Sequence, residues 1–133
     1  MENNLTNELY WLTLTLAMTA AFWVPYILNR MAEGRIWPAL YNPQPDKRPK
    51  AQWAERMMRA HENAVENLVI FAPLVLIVQL TTANSPLTAT ACMVYFFARL
   101  AHYLLYTFKV PLLRTIAFFI GFLCQMVLVF TLV

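Results

Sequence analysis

Apolar runs of about twenty residues recur four times along this chain, and polar residues crowd into the breaks between them. The runs are Leu9–Leu28, Ala64–Leu80, Leu87–Phe108 and Leu112–Val133. A bilayer's hydrocarbon core, about 30 Å thick, takes about 20 apolar residues as helix, so each run predicts a membrane span. The breaks at Thr81–Pro86 and Lys109–Pro111 are short and end in proline. They predict antiparallel neighbours. The fold class expected is all-α integral membrane, a four-transmembrane-helix up-down bundle forming one domain over residues 1–133. Pro25 and Pro73 fall inside runs as kinks that membrane helices tolerate. The one long break is the basic loop 29–55, where Pro38, Pro43, Pro45 and Pro49 exclude a long regular helix. The second helix is expected to begin inside that loop, near Gln52, on its wet side.

Basic residues sort by connection. Arg30, Arg35, Lys47, Arg48, Lys50, Arg56 and Arg59 lie in the first connection or at the start of the second helix, and Lys109 and Arg114 flank the third turn. Up-down threading puts both connections on one side. The positive-inside bias then predicts a cytoplasmic basic loop and both termini on the non-cytoplasmic side. No basic region precedes the first run, and Glu2 and Glu8 stand there, so it reads as a span rather than a signal peptide.

The spans are not uniformly apolar. Arg56, Arg59, Asn63 and Glu66 follow one another by +3, +4 and +3, and Arg99, His102, Tyr106 and Lys109 repeat that spacing. At about 100° per residue each set forms one stripe. Arg99, ten residues before Lys109, lies roughly 15 Å from the turn, near mid-membrane, where a charge must be paired or wetted. Two readings stay open. Glu66 and Arg99, at similar depth, form a structural ion pair, or the stripes with Arg30 and Arg114 line a donor-rich pocket for a small anion. His61, nearly opposite the first stripe, reads as a packing residue.

Composition narrows the chemistry. The chain is 60% hydrophobic and 13% charged, against about 45–50% and about 25% for a soluble domain. Two glycines, far apart, exclude a Gly-rich phosphate loop. Cys92 and Cys124 lie in apolar runs and read as small hydrophobes. Two histidines on different helices without paired carboxylates argue against a metal site. The short basic cluster is explained by topology, so no nucleic acid is expected as a partner.

The residues then form a pattern. Arg-x-x-Arg-Ala-His-x-Asn-x-x-Glu-Asn, followed by Phe-Ala-Arg-Leu-x-His-x-x-x-Tyr and Leu-Arg-Thr, resembles the MAPEG family, the membrane-associated proteins of eicosanoid and glutathione metabolism. The resemblance covers about Gln52 to Gln125. It implies a homotrimer that binds glutathione at each subunit interface toward the cytoplasmic side. Carried across, Arg59, Asn63 and Glu66 would hold the tripeptide's polar ends, and His102 and Tyr106 would line the pocket. Arg99 matches a motif arginine, Arg30 is a looser match at the end of the first helix, and Arg114 would stabilise the thiolate. Glutathione's carboxylates suit arginine forks, and a guanidinium beside a thiol of pKa about 8.5 raises its thiolate fraction. Glu62 stands where the prostaglandin synthase branch has an arginine, and Thr115 and Phe118 where it has serine and tyrosine. The reaction implied is therefore glutathione-dependent transfer or peroxide reduction on lipophilic electrophiles that arrive through lipid. The alternatives are a non-catalytic membrane protein and a lipid- or anion-binding module.

Overall fold

The computed structural model describes residues 4–34, 36–42 and 48–133. Among them every regular element is a helix: α1 (Asn7–Ala21), α2 (Val24–Ala32), α3 (Ile36–Tyr41), α4 (Gln52–Leu80), α5 (Pro86–Thr107) and α6 (Pro111–Leu132). Among the described residues three stretches are long and apolar enough to cross a membrane: Asn7–Ala32, Gln52–Leu80 and Pro111–Leu132, with mean hydropathies of 1.5, 1.8 and 2.3. The chain is a membrane protein. The third expected span, α5, falls outside this group for a physical reason. It packs against α1, α4 and α6 and buries Thr88, Tyr95, Arg99, His102, Tyr103 and Thr107. Its polar residues face helices, so its composition is less apolar than that of a lipid-facing helix.

Helix boundaries follow local chemistry. The first apolar run breaks at Phe22-Trp23, just before Pro25, which has no N–H to donate to Ala21 O; the expected kink is a break between two helices, with Pro25 in the first turn of α2. Thr6 caps α1 through Leu9 N. Ser85 and Thr88 form a reciprocal capping box at α5. There Thr88 Oγ1 also donates to buried Glu8, 2.5 Å away, tying α1 to the start of α5. Pro73 sits inside α4, which continues through it. Its ends are set differently. Ala51, at its N-terminus, offers no side-chain cap. Instead the Glu33 carboxylate accepts from Lys50 N at 2.8 Å and Ala51 N at 3.2 Å, a charge favoured at the positive end of a helix dipole.

Helices α4 and α5 both close in Schellman motifs. Thr82 N and Ala83 N donate to Gln79 O and Val78 O, and Lys109 N and Val110 N donate to Tyr106 O and Leu105 O. The left-handed residue is Thr82 (φ 54°) in one and Lys109 (φ 60°) in the other, positions where glycine is usual. Two apolar clusters hold the helices together. One gathers Leu12, Phe71, Val75, Tyr95, Cys124 and Leu128 around stacked Phe71 and Tyr95 rings. The other gathers Phe22, Met57, Ala60, Ala64 and Tyr103. Phe22 stacks on Tyr103 at 3.8 Å, and the Tyr103 hydroxyl donates to Phe22 O at the α1–α2 break. Cys92 and Cys124 are buried free thiols in the first cluster.

Candidate functional site

Helix α4 has two flanks, and they carry different chemistry. On the flank facing α5 and α6, buried Arg99, 2% exposed, donates from Nη2 to Asn63 Oδ1 at 2.6 Å, and the same nitrogen lies 3.4 Å from His102 Nδ1. Arg99 Nε and the Tyr95 hydroxyl are buried without a hydrogen-bond partner. The Arg99 stem and the Tyr95 ring lie against Gly121 of α6. Deeper on this flank, Gln125 Nε2 donates to Asn67 O at 3.2 Å, and Asn67 Nδ2 donates to Asn63 O at 2.9 Å. Asn63, Asn67, Tyr95, Arg99, His102 and Gln125 thus form a polar column between three helices.

Toward the α5–α6 turn the column opens into aromatic and cationic groups. The His102 ring lies 5.6 Å from Tyr106 and 6.1 Å from Phe118. The Arg114 guanidinium sits over the Tyr106 ring, 4.6 Å from its centroid, a cation–π contact. Arg59 interacts electrostatically with Tyr106 but also pairs with Glu55 at 2.7 Å, one turn before it. Arg56 donates from Nε to Thr107 O at 2.9 Å, so it closes the end of α5.

The other flank faces α2. The Tyr26 hydroxyl lies 2.7 Å from His61 Nδ1, and the Phe22 ring meets His61 edge-on. His61 therefore packs α2 against α4. A cavity of about 500 Å³ lies here, lined by Tyr26, Met58, His61, Glu62, Val65 and Glu66. Glu62 is held by Arg48 at 3.0 and 3.3 Å, and Arg48 also reaches Glu55 at 3.9 Å. Arg30, in the last turn of α2, acts electrostatically on Tyr26 on this same flank.

The structure thus brings Asn63, Arg99, His102, Tyr106 and Arg114 together, with Arg59 at their edge, and leaves Arg30 and Glu66 on the α2 side. The expected Glu66–Arg99 ion pair does not form. Three residues at about 100° each turn Glu66 about 60° away from Asn63, and it is Asn63 that faces Arg99. Asn67, Tyr95 and Gln125 complete the column and Phe118 lies beside His102; none of the four was assigned to the site from sequence, although Asn67 ends the helix-two motif and Phe118 marked a departure from the family pattern. Asn67 continues the stripe four residues past Asn63, and Gln125 is a lone amide in the apolar fourth run, so both had a legible signal. Arg35 and Lys47 lie outside the described residues. Among the described residues no cluster of His, Cys, Asp and Glu is arranged to hold a metal.

A family model described as the MAPEG family matches residues 9–133, nearly the whole chain. The chain belongs to the MAPEG family. No curated protein matches it by sequence. The family match extends the Gln52–Gln125 resemblance to include α1, α2 and the first connection. Membership supports a membrane protein with a function in the general area of glutathione and eicosanoid metabolism.

Proposed function

We propose that this MAPEG protein is a membrane-bound, glutathione-dependent transferase or peroxidase acting on lipophilic electrophiles. The observation that carries this reading is Arg99, a buried guanidinium answered by an amide and an imidazole but, among the described residues, by no carboxylate. A charge at that depth calls for a counter-anion, and the groups converging around it, Asn63, His102, Tyr106, Arg59 and Arg114, are those of an anion site. Glutathione fits this donor set through its two carboxylates, and its thiol supplies the nucleophile. Arg114, already held by the Tyr106 face, stabilises the thiolate. Arg59 takes a carboxylate by leaving Glu55, an exchange with small cost because exposed ion pairs contribute about 0–1 kcal/mol.

Glu66 and Arg30, on the opposite flank, cannot reach the same ligand within one protomer. A homotrimer reconciles them, with Arg30 and Glu66 reaching glutathione at a subunit boundary. In this reading α5 also crosses the membrane and completes the four spans of an up-down bundle. Its 22 residues span about 33 Å as helix. The termini lie on the non-cytoplasmic side, and the basic loop is cytoplasmic. The competing reading, a non-catalytic membrane protein, draws support from the Arg59–Glu55 and Arg48–Glu62 pairs, which already satisfy part of the stripe.

The deciding experiment uses detergent-purified protein, glutathione titration by calorimetry, and conjugation of a chlorodinitrobenzene. The proposal expects millimolar or tighter binding, and turnover that Arg114→Ala reduces by about 10²-fold or more, the scale of losing one charge-stabilising donor. Absence of binding at millimolar glutathione refutes it. Binding without turnover, unchanged by Arg114→Ala, points to an anion-binding module instead.

A further inference from the structure

The first connection carries an apolar surface that the helices around it leave uncovered. In α3, Trp37, Leu40 and Tyr41 are 64%, 66% and 82% exposed. The Trp37 and Tyr41 rings, one turn apart, stack at 6.1 Å and 24° and form a single aromatic plate. Leu28 and Met31 at the end of α2, Trp53 at the start of α4 and Phe108 after α5 are exposed too. These elements meet at one end of the molecule, because α2 ends, α4 begins and α5 ends there. Arg30, Lys50 and Lys109 lie at the same end. The opposite end, Thr81–Pro86, has no cation.

Tryptophan and tyrosine at helix ends, ringed by lysine and arginine, match the level of lipid headgroups, where an aromatic ring has an apolar body and a wet rim. Cations there are attracted to anionic lipid. Leu28 and Phe108, at the ends of the neighbouring helices, are exposed as well, as side chains on the outer apolar surface of a membrane protein are. The occupant that fits both observations is the lipid leaflet itself.

We propose that α3 is an interfacial anchor. It lies in the headgroup layer of an anionic leaflet, with Trp37, Leu40 and Tyr41 turned toward the acyl chains and Lys50 and Lys109 toward phosphates. The anchor is independent of the thiol chemistry and holds whether or not the protein binds glutathione.

The test uses the full chain in nanodiscs with Trp37 as the sole tryptophan, through Trp11→Phe, Trp23→Phe and Trp53→Phe. Phosphatidylcholine labelled with a spin quencher near the headgroup or at the acyl end reports depth, and acrylamide reports water. The expected result is strong quenching by the shallow label, weak quenching by the deep label and by acrylamide, and stronger lipid quenching when phosphatidylglycerol is added. Lys50→Gln and Lys109→Gln should each lower the preference for phosphatidylglycerol by about fivefold, from about 1 kcal/mol per cation near the surface. If the triple variant fails to fold, Leu40→Cys carrying a bimane serves, because Cys92 and Cys124 are buried. Quenching by acrylamide without lipid quenching overturns the proposal. Protection from both quenchers also overturns it, because it means that protein covers the plate. Lipid quenching indifferent to phosphatidylglycerol overturns the anionic part.

Discussion

Asn63→Ala is the most informative single change. Arg99 is 2% exposed and its Nε has no partner. Its short contact is the 2.6 Å bond to Asn63 Oδ1, and His102 stands at 3.4 Å. Removing the amide takes away a hydrogen bond to a charged group, about 1.5–3 kcal/mol, and leaves a buried cation nearly alone, a situation that costs about 3–5 kcal/mol when a partner is deleted outright. His102 remains, so the lower range applies, and about 2–3 kcal/mol of destabilisation is expected. Arg99→Met in the same background removes the orphaned charge and keeps the volume, so stability should return to within about 1 kcal/mol of the parent, as apolar replacement of buried ionic groups commonly allows. The assay is unfolding in mixed detergent micelles followed by helical circular dichroism, read as a double-mutant cycle. If Asn63→Ala costs less than about 0.5 kcal/mol, or if Arg99→Met adds to its effect instead of reversing it, Arg99 is hydrated or paired elsewhere and the anion-site argument fails.

Further outcomes follow from other contacts. Glu8→Ala removes the carboxylate acceptor of the buried Thr88 hydroxyl and leaves it Ser85 O at 2.9 Å, so it should destabilise by about 1–2 kcal/mol, with Glu8→Gln milder, read in the same unfolding assay. Lys109→Gly relieves a left-handed backbone at φ 60° and should stabilise by up to about 1 kcal/mol, visible as a higher unfolding midpoint with unchanged helix content. Glu62→Gln breaks an ion pair whose side chains are 42% and 49% exposed, so its stability effect should stay under about 1 kcal/mol and shrink further as salt rises in a thermal scan.

The sequence made the helices legible where chemistry changes along the chain. Helix α4 runs from a charged N-terminal half into an apolar half without a turn residue, and the structure keeps it continuous from Gln52 to Leu80. The expected break points at Thr81–Pro86 and Lys109–Pro111 lie where helices end. The stripes were legible too: +3 and +4 spacings placed Asn63 on one face and Arg99, His102 and Tyr106 on another, and these faces meet. The partner of Arg99 was not, because matching depths along two helices leaves rotation about each axis free. Glu66 and Asn63 differ by less than one turn in depth, yet only one faces α5. Pro25 signalled the break at Phe22-Trp23, but not the contact that fixes it. The break is held by the Tyr103 hydroxyl on Phe22 O, 81 residues away in sequence, and no local pattern encodes a distant donor.

Glu33 has a consequence for how this protein can change. Its carboxylate gathers the amides of Lys50 and Ala51, so the chain that leaves α2 returns to nearly the same point before α4 begins. The connection between is therefore pinned at both ends, whatever its path. Its length does not set the register of α4 against α2, and because loop-closure entropy grows slowly with length, residues can be gained or lost there without disturbing the helices. A reporter inserted beside α3, rather than within it, would therefore leave the packing between the membrane helices as it is.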